Sequence, residues 1–100
     1  MTRLGYQIPN FTYPGVEPER IFQNVVAQAR AAEAAGYDRV FVMDHFYQLP
    51  GIGAPEEPMF ECYAMLSALA QHTERVRLSA LVTGNTYRNP ALLAKSVTTL

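Results

Sequence analysis

Apolar and polar residues follow one another along the chain in a pattern that predicts three strand–helix units. Apolar runs of strand length occur at residues 4–8, 40–43 and 76–83. The second run has no polar alternation, which is typical of a strand buried on both faces of a parallel sheet. After each run, apolar residues recur every three or four positions, which predicts helices. The predicted order is β-α-β-α-β-α, in a single α/β unit covering residues 1–100.

Turn and capping signals set the boundaries of the predicted helices. The acidic residues of Glu17-Pro18-Glu19 are favourable in the first turn of a helix. Gly36 can adopt the left-handed conformation that is common directly after a helix end. The second helix is predicted over residues 60–71, and Asn89-Pro90 supplies the N-cap and first position of the third. The chain stops inside that third pattern, at Leu100, so we expect it to be part of a larger domain. The apolar stripes of the first two helices are Ile21, Phe22, Val25, Val26, Ala29 and Ala32, then Cys62, Met65, Leu66 and Leu69.

Two architectures fit this order of elements. One is a doubly wound open sheet, and the other is the first part of a (β/α)8 barrel. Both bring the residues that follow positions 8, 43 and 82 to one rim, at the carboxyl ends of the strands. No GxGxxG motif follows the first strand, which counts against a dinucleotide site.

Composition excludes several classes of partner. Eight basic and nine acidic residues give a net charge of -1, so nothing suggests nucleic-acid binding. No apolar run approaches the ~20 residues that span a bilayer, and the first residues lack the apolar core of a signal peptide. We therefore expect a cytoplasmic protein with no membrane partner. The single cysteine, Cys62, precludes an internal disulfide and is predicted to be inert core.

An Asp-His pair, Asp44-His45, directly follows the second predicted strand. Titratable side chains at strand carboxyl ends lie where α/β proteins bind ligands and perform chemistry, and an imidazole exchanges protons near neutral pH. The alternatives are a structural histidine and an aspartate that caps a turn. A metal site has less support, because no H-x-H or H-E-x-x-H partner is present and His72 is predicted to face away from the rim.

Several short motifs occur in the same order as in one known family. The first half carries Gly5-x-Gln7-x-Pro9-x-Phe11, Ala32-Glu33-x-x-Gly36-Tyr37-Asp38 and Asp44-His45-Phe46. The second half carries Leu69-Ala70-x-x-Thr73-x-Arg75-Val76, Val82-Thr83-Gly84, Tyr87-Arg88-Asn89-Pro90-Ala91 and Ala94-Lys95. With these motifs the chain resembles the N-terminal part of the bacterial luciferase-like flavin and deazaflavin oxidoreductases, whose fold is a (β/α)8 barrel.

The resemblance implies an activity, a cofactor and site residues. It implies hydride transfer between the deazaflavin coenzyme F420 and a small organic substrate, with Asp44 contacting the cofactor and His45 as the catalytic residue. It also implies a non-prolyl cis peptide at Leu81-Val82 that supports the ring, in a cofactor-binding segment that continues through Thr83 and Gly84. The Asp-His pair favours F420, and an FMN-dependent monooxygenase is the alternative.

Other expectations concern the substrate and the assembly. We expect Gln7, at the end of the first strand, and Phe11, in the loop that follows it, to contact substrate. Arg88 is predicted either to reach a cofactor phosphate or to form an ion pair beside the third helix. The resemblance also implies a homodimer. A metal-dependent barrel hydrolase and a non-catalytic fragment are the less favoured readings of the chain.

Overall fold

Three parallel strands, each followed by a helix, make up the structure, a computed structural model that describes residues 1–100. The elements are β1 Gly5–Gln7, α1 Ile21–Ala34 (preceded by a 3-10 turn at Pro18–Arg20), β2 Arg39–Val42, α2 Cys62–Leu69, β3 Arg77–Ala80 and α3 Pro90–Thr99. The strands pair in the order β1-β2-β3, with Tyr6 beside Val40 and Val40 beside Leu78. The predicted β-α-β-α-β-α order is confirmed.

The third strand ends earlier than its apolar pattern predicts. The structure ends β3 at Ala80, whereas the prediction extended the strand to position 83. The amide of Leu81 still donates to the carbonyl of Val42 at 2.8 Å, after which the chain leaves the sheet. The Leu81–Val82 peptide bond is cis, as the resemblance implied.

The core lies between the sheet and helices α1 and α2, where the predicted apolar stripes meet β2. Both core residues of β2, Val40 and Val42, are fully buried. The remaining buried apolar residues of this cluster are Ile8, Phe11, Ile21, Val25, Ala29, Ala32, Cys62, Met65, Leu66, Leu69 and Val76. Cys62 is fully buried in this core, as predicted, and this burial raises the pKa of its thiol to about 12.

The end of α1 is anchored to the start of β3. Gly36 has a φ of 85°, which a residue with a Cβ rarely adopts, and this confirms the predicted helix end. One carboxylate oxygen of Glu33 accepts hydrogen bonds from three consecutive backbone amides, those of Glu74, Arg75 and Val76, at 2.9, 2.5 and 2.8 Å. These bonds, Val76 first, hold the pKa of Glu33 below its usual range. They fix the end of the sheet opposite the predicted rim.

The helices are too short or too polar to cross a membrane; none combines the length and apolar character that a bilayer span requires.

Candidate functional site

The carboxyl ends of β2 and β3 bring together Asp44, Thr83 and Gly84, three of the residues predicted to bind a cofactor. Asp44 lies two residues beyond β2 and is only 5% exposed. Its Oδ2 accepts a hydrogen bond from the backbone amide of Gly84 at 2.8 Å. The segment after β3 is therefore bonded directly to the residue that precedes His45.

Arg88 provides the other partner of Asp44. Its two terminal nitrogens donate to both carboxylate oxygens, at 2.6 and 2.8 Å, in a bidentate ion pair. The Arg88 guanidinium, followed by the Gly84 amide, holds the pKa of Asp44 below its usual range against the opposing effect of burial. Asp44 is thus an ionised, internally bonded carboxylate. A direct contact between Asp44 and a cofactor stays a prediction.

Two residues at the N-terminal end of α2, Glu61 and Tyr63, also contact Arg88. Glu61 accepts a hydrogen bond from Arg88 through Oε1 and caps α2 by accepting from the Ala64 amide at 2.6 Å through Oε2. The Arg88 guanidinium carbon lies 4.8 Å from the centre of the Tyr63 ring. We refer to Asp44, Glu61, Tyr63 and Arg88 as the Arg88 cluster. The sequence prediction of an ion pair for Arg88 is confirmed, but the roles of Glu61 and Tyr63 were missed.

Tyr63 also bonds the segment that follows β3. Its hydroxyl shares a 2.6 Å hydrogen bond with the Thr83 hydroxyl. Residues 83, 84 and 88 are therefore each bonded to a side chain from β2's end or α2's start. The one sequence signal for Glu61 was its acidic side chain at the predicted start of the second helix, where negative charge interacts favourably with the helix dipole.

His45 is half-buried and stands next to Asp44 at the rim. It lies near enough to Asp44 to make the smallest of the contributions that lower the pKa of the Asp44 carboxyl, after Arg88 and Gly84. His72, by contrast, packs edge-on against Phe22 at 5.9 Å, away from these residues. The structure thus separates the two histidines as the sequence predicted.

An apolar surface lies along the same rim. Leu81 and Val82 are 41% and 69% exposed. The rings of Phe46, the residue after His45, and Tyr87 stack at 4.4 Å between centroids with 36° between their planes. Apolar and aromatic side chains can pack against a flat aromatic ring system, so these residues fit the deazaflavin or flavin ring that the resemblance implies.

The predicted substrate residues, Gln7 and Phe11, occupy different environments. Gln7 is exposed at the carboxyl end of β1. Phe11 is 1% exposed and packs edge-to-face against Phe60 at 5.1 Å between ring centroids. The structure therefore places Phe11 in the core beside Phe60. The predicted contacts of Gln7 and Phe11 with substrate stay predictions.

Two loops that follow β1 and β2 are bonded to each other. The Thr12 hydroxyl donates to Glu57 at 2.9 Å, and the Asn10 side-chain amide donates to the carbonyl of Ile52 at 3.3 Å. Gln48 is buried and donates to the carbonyl of Pro58 at 2.6 Å. Residues 47–58 form an irregular loop between β2 and α2. No group of three or more His, Cys, Asp or Glu side chains is arranged to hold a metal ion.

The sequence model of the luciferase-like monooxygenase family matches residues 2–100. The chain therefore belongs to the luciferase-like monooxygenase family, as its motifs suggested.

Among individual proteins, the chain is similar to an F420-dependent glucose-6-phosphate dehydrogenase of Tsukamurella paurometabola. The two are 39% identical over 77 residues, which cover 74% of this chain and 21% of that protein. The chain thus spans about a fifth of the length of this curated relative.

A solved structure has the same fold. It is the oxygenating constituent of 3,6-diketocamphane monooxygenase, a type II Baeyer-Villiger monooxygenase from the CAM plasmid of Pseudomonas putida, in complex with FMN. The TM-score is 0.71 at 18% identity, over 97% of this chain and 25% of that one. Residues 1–100 form the N-terminal part of a (β/α)8 barrel, and the doubly wound alternative is set aside.

Proposed function

We propose that this chain is the cofactor-facing part of an F420-dependent oxidoreductase that transfers hydride between the deazaflavin and a small organic substrate. The observation that carries the proposal is that His45 and the apolar residues Leu81 and Val82 follow the neighbouring parallel strands β2 and β3, at the same edge of the sheet. Asp44 connects the two, because it precedes His45 and bonds the Gly84 amide.

F420 is preferred to FMN for two reasons. The curated relative, 39% identical, is named as F420-dependent. The Asp44-His45 pair favours the deazaflavin branch, as the resemblance described above implies. FMN is the alternative, and its support is weaker because the FMN-bound neighbour is 18% identical and supports the fold alone.

The residues of this chain would support the cofactor ring and stabilise the charge that develops during hydride transfer. Leu81 and Val82 would support one face, since apolar side chains and backbone offer a flat surface without competing charge. His45 would stand at the reacting side and stabilise charge or exchange a proton there. The bound deazaflavin supplies the hydride chemistry itself.

A homodimer of the whole protein is proposed on the family resemblance, and the substrate is proposed only as a small organic molecule.

The experiment is to substitute His45 in the whole protein. We expect His45→Ala to lower turnover with saturating F420 by about 10²–10⁴-fold, the usual contribution of a positioned acid or base. The dissociation constant for F420, measured by quenching of its fluorescence, should change much less, because binding is spread over many contacts. His72→Ala, a histidine away from the rim, is the matched control and should keep wild-type turnover. Near-full turnover of His45→Ala would show that the mechanism needs another residue.

A further inference from the structure

Arg88 has no role in the proposed function, yet it is the most highly connected side chain of the site. It is 14% exposed and forms ion pairs with Asp44, whose side chain is 3% exposed, and with Glu61, which is half exposed. Its guanidinium also lies over the face of Tyr63. A buried or half-buried cation normally requires such partners, but two carboxylates and an aromatic face exceed what one cation needs.

The donors of Arg88 are largely used within the chain. A guanidinium has five N–H groups in a fixed fork. One terminal nitrogen donates to Asp44, and the other donates to both Asp44 and Glu61. The two acids together carry more negative charge than the arginine neutralises. A cofactor phosphate would thus meet a guanidinium already bound by two carboxylates, which makes Arg88 unsuited to anion binding.

The geometry of the fork fixes the plane of the Asp44 carboxylate. Oδ2 accepts from both Arg88 and the Gly84 amide, while Oδ1 accepts from the second nitrogen of Arg88. Rotation of the carboxylate would break all three bonds together. Lysine offers a point charge without this fork, so it can balance the charge but cannot hold the plane.

The elements joined in this way are those that carry the proposed cofactor contacts. Asp44 immediately precedes His45. Gly84 follows Leu81 and Val82 in the same segment, and Arg88 immediately precedes Asn89, the N-cap of α3, whose side chain accepts from the Ala91 amide at 2.9 Å. Through Glu61 the same guanidinium contacts the first turn of α2.

We infer that Arg88 is a positioning residue that sets His45 and the Leu81–Val82 segment at a fixed distance from each other, and so orients the ring face toward the imidazole. This inference rests on the proposed function. Its physical basis is that misplacing reacting groups by about 1 Å can cost on the order of 10²-fold in rate. The Arg88 cluster would therefore affect catalysis without any of its members touching substrate.

The test compares Arg88→Lys and Arg88→Met with the matched pair Arg20→Lys and Arg20→Met in the whole protein, since Arg20 is an exposed residue of the 3-10 turn. The measurements are turnover with saturating F420, the F420 and FMN dissociation constants, the melting temperature, and hydrogen–deuterium exchange of residues 81–88 without ligand.

We expect Arg88→Lys to keep a melting temperature close to that of the wild type, to exchange residues 81–88 faster, and to lose about tenfold or more in turnover. Arg88→Met should lose turnover and thermal stability together, and both Arg20 variants should match the wild type. Turnover and exchange of Arg88→Lys within twofold of the wild type would overturn the inference alone. A wild-type protein that binds neither F420 nor FMN would overturn the proposed function, and the inference with it.

Discussion

Replacement of Asp44 by asparagine tests whether the Arg88 cluster holds the rim together. The substitution keeps the size of the side chain but removes its charge and places an amide donor opposite the donors of Arg88 and Gly84. Removing one partner of a buried ion pair costs about 3–5 kcal/mol. Arg88 would retain Glu61, so we expect a smaller loss in the free energy of unfolding, about 2–4 kcal/mol.

The same strand supplies a matched control at its opposite end. Asp38 precedes β2 and forms ion pairs with Arg3 and Arg39 at 3.2 and 3.4 Å, with partners that are 66% and 44% exposed. Solvent-exposed pairs of this kind contribute about 0–1 kcal/mol. Asp38→Asn should therefore shift the unfolding midpoint far less than Asp44→Asn.

The assay is urea unfolding of the whole protein, followed by circular dichroism, at several pH values. The pKa of Asp44 is lowered in the folded protein, so its contribution is fully present above its unfolded value of about 3.9 and is lost as pH falls through the lower folded value. The difference between the wild type and Asp44→Asn should persist at neutral pH and shrink below about pH 4. Equal losses for the two variants, within about 0.5 kcal/mol, would refute the reasoning.

Three further predictions concern the rest of the chain. Glu33→Gln should lower the stability of the whole protein by about 1–2 kcal/mol in urea unfolding at neutral pH, and the loss should fade below about pH 4 because the pKa of Glu33 is lowered; a loss no larger than that of exposed Glu74→Gln would contradict the three-amide contact. Cys62, buried with a pKa of about 12, should resist iodoacetamide at pH 8 in the folded protein, and modification at the unfolded rate would show that the thiol is accessible. Residues 1–100 expressed alone should self-associate in light scattering, since β1 and β3 are open edges; a monomer with a sharp thermal transition would disprove this.

Patterns among neighbouring residues in the sequence correctly predicted those helices, strands and turns that depend mainly on local interactions. The stripe of α1 and the left-handed Gly36 were predictable because helical periodicity and positive φ leave direct marks in sequence. The apolar run of β2 was predictable because burial on both faces excludes polar residues. The cis bond at Leu81–Val82 was predicted only through the family resemblance, since no local pattern marks it.

The predicted boundaries of β3 and α2 were wrong where tertiary contacts outweigh the local sequence pattern. Val82 and Thr83 continue the apolar, β-branched character of β3, but the strand ends at Ala80 and the Thr83 hydroxyl bonds that of Tyr63 in α2. Phe60 continues the stripe of α2, but it packs on Phe11 before the helix begins at Cys62. An ion pair of Arg88 was predicted, but its partner Asp44 was not predictable, because the two residues are 44 positions apart and no periodicity relates them.

The central claim, that this chain helps to bind a deazaflavin, is tested most directly by titrating the whole protein with F420 and, separately, with FMN. The loss of cofactor fluorescence gives each dissociation constant under identical buffer conditions. If this chain helps to bind a deazaflavin, F420 binding should be saturable and about tenfold or more tighter than FMN binding, a difference of about 1.4 kcal/mol or more. Tighter binding of FMN, or saturable binding of neither cofactor, would contradict it.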